Sequence, residues 1–362
     1  GGVDSAMAAR LLREEYDVTC LWLDIGLGGG GDAAAVAEEL GLPFETADIR
    51  DALEERVCTP FAQTYLAGKT PLPCALCNPM VKFPALLALA DRLGAPYVAT
   101  GHYARRGTGA DGRALLQKGR PSNDQSYMLS RLPQDILRRV IFPLGEFEKR
   151  EVRALAGEAA LTVADKPDSM EICFIPDGDY AAWLDRRGNT PPPGNFVDRE
   201  GRVLGRHKGL PCYTTGQRKG LGVSAGRHVY VVRKNAADNT ILLGDNEELY
   251  ARELTACRVN WISGTAPTEP VAVTAKTRYS QTEAEAEVTP LPEGRMRAVF
   301  RQPLRTGRGA LRRGYGAGRR RHRRSVKIFP DFREISVDKH RRMCYIYSCL
   351  SSLSIWRRSS VG

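Results

Sequence analysis

Cys74 and Cys77 frame a C-x-x-C in the run Thr70-Pro71-Leu72-Pro73-Cys74-Ala75-Leu76-Cys77-Asn78. In an α/β enzyme of a reducing compartment that spacing points to redox, sulfur or metal chemistry rather than to stapling. A zinc site wants a second ligand pair, and neither a second C-x-x-C nor an H-x-x-x-H follows. Small core cysteines are the bland alternative. A reactive thiol is favoured, because the proline-rich segment reads as a loop and Lys82 stands close enough to lower a thiol pKa. Cys173 follows in Lys166-Pro167-Asp168-Ser169-Met170-Glu171-Ile172-Cys173-Phe174-Ile175. Alone it reads as a buried strand cysteine. With the upstream pair it supplies a second, distant thiol. Two thiols that meet in space suit persulfide transfer, one carrying the sulfane sulfur and the other resolving it.

The other chemical signature is Gly1-Gly2-Val3-Asp4-Ser5, directly before a helical pattern. Glycines let backbone approach a phosphate, and the amides of a helix N-terminus present donors and a favourable dipole. Ser5 adds a hydroxyl. Asp4 suits either a Mg²⁺ ion or a helix cap. The alternative is an ordinary glycine turn.

These residues need elements to hold them. Met7, Leu11 and Leu12 share one side of a helix over 6–16. The run VTCLWLDI predicts a buried strand over 18–25. A glycine-rich loop covers 26–31, and a helix over 33–40 ends at Gly41. A further helix is expected over 83–93 and a strand over 96–100. Strands alternating with helices imply an α/β, doubly wound parallel sheet. Beyond Cys173 the texture changes. Residues 188–222 are rich in Gly and Pro, and short β-like runs follow at 228–233, 240–243, 272–279, 284–289 and 296–300. They predict a small central linking domain and then a β-barrel. The expected division is a catalytic domain over 1–175, a linking domain over 176–238, a barrel over 239–304 and a basic tail over 305–362. No internal repeat is visible. No apolar run reads as long enough to span a bilayer and no signal peptide opens the chain, so a cytoplasmic protein without membrane contact is expected.

A net charge of +11 suggests a nucleic-acid binder. The excess is local. Residues 301–362 carry 17 Lys and Arg against 3 Asp and Glu, whereas the first 300 residues carry 36 against 39. RNA binding by the body must therefore come from local patches.

The loop resembles that of the PP-loop ATP pyrophosphatases, SGG-x-D-S, with the first Ser absent because the chain starts one residue late. The segments GGVDS, TPLPCALCN, ATGHYARR, NDQSYMLSRL, FPLGEFEKREVR, KPDSMEICFIPDGDY, GQRKGLG, YVV and KTRY occur in that order from residue 1 to about 300. As an ordered set they resemble the bacterial tRNA 2-thiouridylase family. The resemblance implies ATP, with Mg²⁺, adenylating the C2 oxygen of the wobble uridine. It implies that Gly1, Gly2, Val3, Asp4 and Ser5 hold the phosphates, and that Leu23 and Gly101 touch the nucleotide. Cys173 matches the persulfide carrier and Cys77 the second catalytic cysteine, which implies a transient Cys77–Cys173 disulfide. Leu72, Pro73 and Cys74 fall where the family often has Asn-Pro-Asp against the target base. Cys has the higher intrinsic pKa, which weakens the case for proton transfer there and leaves a structural or spare thiol as the alternative. His102, the segment Asn123-Asp124-Gln125 (usually Lys-Asp-Gln) and Arg278-Tyr279 match tRNA-contacting positions. An Arg can pair a phosphate and a Tyr can stack on a base. The basic loop 216–222 suits a sugar-phosphate backbone. Implied partners are the tRNAs for Lys, Glu and Gln, and a cysteine desulfurase or sulfur-relay protein as persulfide donor.

The Arg-rich stretch 301–324 departs from the family's barrel ending, P-G-Q-A-A-V-x-Y-D-G-D-x-V-L-G-G-G. Read one nucleotide later, the codons of 305–314 can encode G-Q-A-A-V-L-Y-D-G-D, and those of 315–321 M-V-L-G-G-G-G. A frameshift near 301–304 is the expectation, with a disordered RNA-binding arm as the alternative. Two rival readings remain: another PP-loop ligase, which would not need Cys77 or Cys173, and a damaged thiouridylase that binds tRNA without turnover.

Overall fold

The computed structural model describes residues 2–120, 123–168, 171–277 and 281–305. The first domain opens with α1 (Val3–Leu12), β1 (Cys20–Asp24), α2 (Gly30–Glu39) and β2 (Phe44–Asp48). α1 begins three residues before the expected start, because Gly2 takes an extended N-cap conformation. It ends at Leu12, where the apolar face gives way to the polar run 13–17. β1 and β2 pair in parallel. A helical succession follows: α3 (Arg50–Leu53), a π-helical stretch (Glu54–Cys58), α4 (Thr59–Leu66), α5 (Cys74–Cys77), a second π-helical stretch (Asn78–Lys82) and α6 (Phe83–Leu93). α6 spans the expected residues and stops at Gly94, whose φ of 68° suits glycine. Then come β3 (Val98–Ala99), β4 (Ala104–Thr108), β5 (Ala114–Lys118), α7 (Ser126–Leu129), α8 (Gln134–Leu137), β6 (Val140–Ile141), α9 (Lys149–Glu158) and α10 (Tyr180–Arg186). β3 and β6 are parallel, and β4–β5 is an antiparallel hairpin. Among the described residues of this first domain the parallel pairing forms two separate ladders.

The helical run from Cys74 to Leu93 has 20 residues and contains an 18-residue window of mean hydropathy 1.2, which corrects the expectation that no apolar run is long enough to cross a membrane. Its packing explains its composition. Ala75, Val81, Phe83, Leu89 and Ala90 are buried. Phe83 and Ala90 join the core of β3–β6, and Val81 joins the core around Phe61. Part of the run's apolar surface thus serves two cores, with 28% of its apolar window buried.

The middle module is a four-stranded sheet of β7 (Gly194–Val197), β8 (Val203–His207), β9 (Tyr230–Asn235) and β10 (Thr240–Gly244), in the order β8-β7-β10-β9. Phe196, Val231 and Ile241 are wholly buried in it. The stretch 240–244, expected to open the barrel, thus pairs inside this module. The last module begins at β11 (Tyr250–Ala256) and continues through β12 (Val271–Ala275), β13 (Ala284–Leu291) and β14 (Arg295–Arg305), in the order β11-β14-β13-β12. Val288, Met296 and Ala298 are fully enclosed in its core. It is docked on the first domain: Asn260 Nδ2 donates to the carbonyls of Ser130 (2.9 Å) and Leu132 (3.0 Å). Lys118 also pairs with Glu283. The tail reading lies outside the described residues.

Candidate functional site

The glycine-led turn is built where two helix starts converge. α1 presents Gly2, Val3, Asp4 and Ser5 in its N-cap and first turn, and Ser5 Oγ donates to the Gly2 carbonyl at 3.1 Å. Gly1 lies outside the described residues. Val3, Met7 and Ala6 of α1 pack with Val152 and Ala156 of α9 and with Tyr103 and Leu144. That core brings Lys149, the first residue of α9, to Asp4. Lys149 Nζ donates to both Asp4 oxygens at 2.7 Å, and Tyr103 Oη donates to Asp4 Oδ1 at 2.7 Å. Asp4 therefore neither caps its helix nor presents free oxygens to a metal; its charge is balanced from within the chain. Lys149 also pairs with Asp168 at 2.8 Å, which Arg153 holds at 2.8 Å. Burial pushes the Asp168 pKa up, but the bonds from Lys149 and Arg153 outweigh it and hold the group below its ordinary value. Burial and the Asp4 bond push the Tyr103 phenol up, so it stays a donor.

Gly101 faces the same turn. A Cβ there would lie 2.7 Å from the Asp4 carbonyl carbon and 2.9 Å from the Ser5 nitrogen. Only glycine lets the strand exit run this close to the loop. Leu23, near the end of β1, packs part-buried against the core around Phe61, and Asp24 Oδ1 accepts from Gly26 N at 2.8 Å to turn the chain away.

The thiols sit across the domain's second core. Cys74–Cys77 is one helical turn, α5, rather than the expected loop: Cys77 N donates to Pro73 O at 2.8 Å and Ala75 N to Leu72 O at 3.3 Å. Pro73 occupies the N-cap, where its missing N–H costs no helical bond. Buried Asn78 ties the next turn to Met128 O at 3.0 Å. Cys173 is exposed and lies in a turn, not in a buried strand. Its flanks fix it: Phe174 meets the rings of Phe61 (5.3 Å) and Trp183 (5.5 Å), and Ile172 joins the same cluster. Cys77 and buried Cys58 belong to that cluster too. All seven cysteines among the described residues are free thiols.

Lys82 acts on these thiols in the expected direction but is outweighed. Burial pushes Cys77 up to about 11, opposed by Lys82 and reinforced by the charges of Cys173 and Cys74. Cys74 is likewise raised by burial and partly lowered by Lys82, and Cys173, although exposed as a residue, is raised by the desolvation its neighbours impose on the sulfur, again opposed by Lys82. The expected net depression of a thiol pKa is therefore corrected to a net rise. The same interactions place Cys74, Cys77, Cys173 and Lys82 in one neighbourhood.

His102 stands between Phe83 and Phe142, with centroids 6.4 Å from each, and its Nδ1 is 2.7 Å from Thr100 Oγ1. Burial, with the Lys82 charge adding, pushes it down to about 3, so it is neutral. Asp124 is buried, and its Oδ1 accepts from Gly119 N (3.2 Å), Ser126 N (3.1 Å) and Ser126 Oγ (2.5 Å). Gln125 Oε1 accepts from Tyr103 N at 3.1 Å. These two side chains brace the loop against Tyr103; Asn123 is half-buried beside them. Pro73 is buried, and Leu72 and Cys74 are half-buried at the mouth of α5. Arg278 and Tyr279 lie outside the described residues, next to Thr277, whose Oγ1 donates to Gln281 Oε1 at 2.8 Å. The motif reading passed over Tyr103, Lys149, Arg153 and Asp168. Their signal was there, since Tyr103 follows Gly101 by two residues and Lys149 opens the helix of FEKREVR.

The fold and the site define an α/β domain with a glycine turn at a helix start and a cluster of free thiols, followed by two β modules. Residues 1–177 match the tRNA methyl transferase HUP domain, 182–245 the tRNA methyl transferase PRC-barrel domain and 251–306 the aminomethyltransferase beta-barrel domain. The chain is 43% identical over 326 residues to the tRNA-specific 2-thiouridylase MnmA of Acetivibrio thermocellus, covering 84% of this chain and 90% of that protein. It is 45% identical over 313 residues to the protein of the same name from Heliobacterium modesticaldum, covering 81% of each. For that of Desulfitobacterium hafniense the identity is 44% over 313 residues, 81% of this chain and 84% of the relative. The chain belongs to the tRNA-specific 2-thiouridylase family.

Proposed function

We propose that this chain is an ATP-dependent tRNA uridine 2-sulfurtransferase acting on the wobble position. What supports the reading is one domain that holds both an anion-ready helix start and two thiols of one neighbourhood, Cys77 and Cys173. The nucleotide's phosphates lie at Gly1, Gly2, Val3, Asp4 and Ser5, with Leu23 and Gly101 against the rest of the nucleotide. Open space faces Gly2, where a Cβ would meet nothing within 4 Å, and this leaves room for a phosphate at the helix start. The site does not fit a metal resident on Asp4, whose oxygens Lys149 holds. Mg²⁺ enters with the phosphates of ATP.

Adenylation makes uridine C2 electrophilic and its oxygen a leaving group. The terminal sulfur of a Cys173 persulfide attacks C2, and AMP departs with the oxygen. The Cys77 thiolate then attacks Cys173 Sγ. The persulfide S–S electrons pass to the C2-bound sulfur, and a Cys77–Cys173 disulfide remains. Leu72, Pro73, Cys74, His102, Asn123, Asp124, Gln125, Arg278 and Tyr279 form or brace the tRNA face. The tRNAs for Lys, Glu and Gln are the substrates, and a cysteine desulfurase or relay protein supplies the sulfur, in the cytoplasm. We also propose that residues from about 305 are out-of-frame translation; resequencing that finds the printed frame intact overturns this.

The test is a single-turnover reaction with ATP-Mg²⁺, a persulfide donor and unmodified tRNA-Glu, scored for 2-thiouridine by mass spectrometry beside Cys173→Ser. Thiolation lost in the variant is the expected result. Thiolation that survives it refutes the role of Cys173, and no thiolation even with the frame restored and the leading Ser added refutes the function.

A further inference from the structure

The cycle above leaves Cys173 locked in a disulfide, although it is the thiol that must be reloaded. A third thiol of the same neighbourhood has no part in that cycle. Cys74 opens the helical turn that Cys77 closes. Residues three apart on a helix are neighbours, with Cβ atoms about 5–6 Å apart. A disulfide needs about 3.5–4.5 Å between Cβ atoms. Cys74 is the first residue of its turn, next to Pro73, so a modest backbone adjustment at a helix end closes the gap. Cys77 faces the cluster formed by Ile172 and Phe174, the two residues that flank Cys173. Cys77 is thus within reach of both other cysteines, Cys74 along the turn and Cys173 through the shared cluster.

We infer that Cys74 is the resolving thiol of this enzyme, which moves the disulfide from Cys77–Cys173 to Cys74–Cys77 and frees Cys173 within the same chain. The inference rests on the persulfide cycle proposed above. In the step itself the Cys74 thiolate attacks Cys77 Sγ, the Cys77–Cys173 bond breaks, and its electron pair leaves on Cys173 Sγ. The proton lost by Cys74 ends on Cys173. Nothing is oxidised or reduced overall, so no co-reactant is needed. An external dithiol reduces the Cys74–Cys77 disulfide later, and Cys173 can accept its next sulfur before that. Attack falls on the Cys77 sulfur because the three-residue spacing holds Cys74 beside it. Lys82, which stabilises the thiolates of Cys74, Cys77 and Cys173 alike, favours the exchange without selecting a direction. The rival resolver is Cys58, in the same core, but it is only 5% exposed and burial, with Glu54 adding, pushes it up to about 12.

Trypsin separates the alternatives. Residues 70–82 form one peptide with both Cys74 and Cys77, residues 57–69 carry Cys58, and residues 154–186 carry Cys173. After one turnover without reductant, the protein is quenched with acid and alkylated with N-ethylmaleimide. The wild type is expected to give peptide 70–82 with an internal disulfide and peptide 154–186 alkylated. Cys74→Ser is expected to give the two peptides crosslinked, at a ratio counted per 2-thiouridine formed. A wild type that keeps the 70–82 to 154–186 crosslink overturns the inference, and so does a crosslink to 57–69. Thiouridine without any disulfide also overturns it while leaving the enzyme reading intact. Absence of both thiouridine and disulfide counts against the enzyme reading instead. In that case titration of the full chain in oxidised and reduced dithiothreitol decides alone: the first disulfide to form should be Cys74–Cys77, and Cys77–Cys173 forming first refutes the inference.

Discussion

Gly101→Ala is the most informative single substitution for the proposed nucleotide site. The added Cβ would sit 2.7 Å from the Asp4 carbonyl carbon, 2.8 Å from its oxygen and 2.9 Å from the Ser5 nitrogen, all backbone atoms. Ordinary contact begins at 3.4 Å, so the loop and the strand exit must separate by about 0.7 Å. No flexible side chain can absorb this, because the loop is pinned by the bonds from Lys149 and Tyr103 to Asp4. Forced overpacking of this kind costs about 1–3 kcal/mol, which lowers Tm by about 2–12 °C in a domain of this size. The larger effect is on chemistry. Displacing phosphate-binding amides by a substantial fraction of an ångström is expected to slow adenylation by about 10²-fold. The assay is tRNA-dependent pyrophosphate release or exchange, beside thermal unfolding. Persulfide loading of Cys173, which in the proposed cycle needs no nucleotide, serves as the control and is expected to stay at wild-type level. Wild-type adenylation with an unchanged Tm would refute the reasoning, since the loop would then not approach Gly101 as described.

Lys149→Met leaves the Asp4 and Asp168 carboxylates beside the proposed phosphate site without their shared cation; pyrophosphate release is expected to fall by about 10²-fold while Cys173 still accepts a persulfide, and equal loss of both would point to misfolding instead. Cys77, raised to about 11, gains about tenfold in thiolate per pH unit below that value, so the loss of free Cys77 thiol in a quenched single turnover should accelerate from pH 7 to 9, and a plateau by pH 8 would contradict the burial described. Lys234, 8% exposed and lowered to about 8 by burial, binds fewer protons folded than unfolded between about pH 8 and 10.4. Its stabilising contribution is therefore present above the unfolded value and lost as pH falls through about 8. Tm of the wild type relative to Lys234→Met should rise across that window, and parallel curves would refute the shift.

What the sequence discloses and what it withholds divide along a physical line. α6 is legible to the residue, because a long apolar stripe ends at a glycine that must turn left-handed. The strands of the last module show in the alternation of β13 and β14. α5 is misread as loop because prolines 71 and 73 dominate local propensity, whereas Pro73 at a helix N-cap and Pro79 in a π-helical turn are both compatible with helix. The partners of Asp4 are 99 and 145 residues away, so no spacing rule finds them; only packing of α1 on α9 does. The thiols make the point most sharply. Lys82 is five residues from Cys77, so its attraction is visible in the sequence and is indeed present. The opposing desolvation comes from Phe61, Phe174, Trp183 and their neighbours, gathered from segments more than a hundred residues apart. Residue type names the reacting atom, but its charge state depends on what the rest of the chain lays over it. In the cycle proposed for this chain, the half-buried Cys77 beside the Lys82 ammonium is therefore mostly protonated near neutral pH, and lifting part of its burial would favour the thiolate.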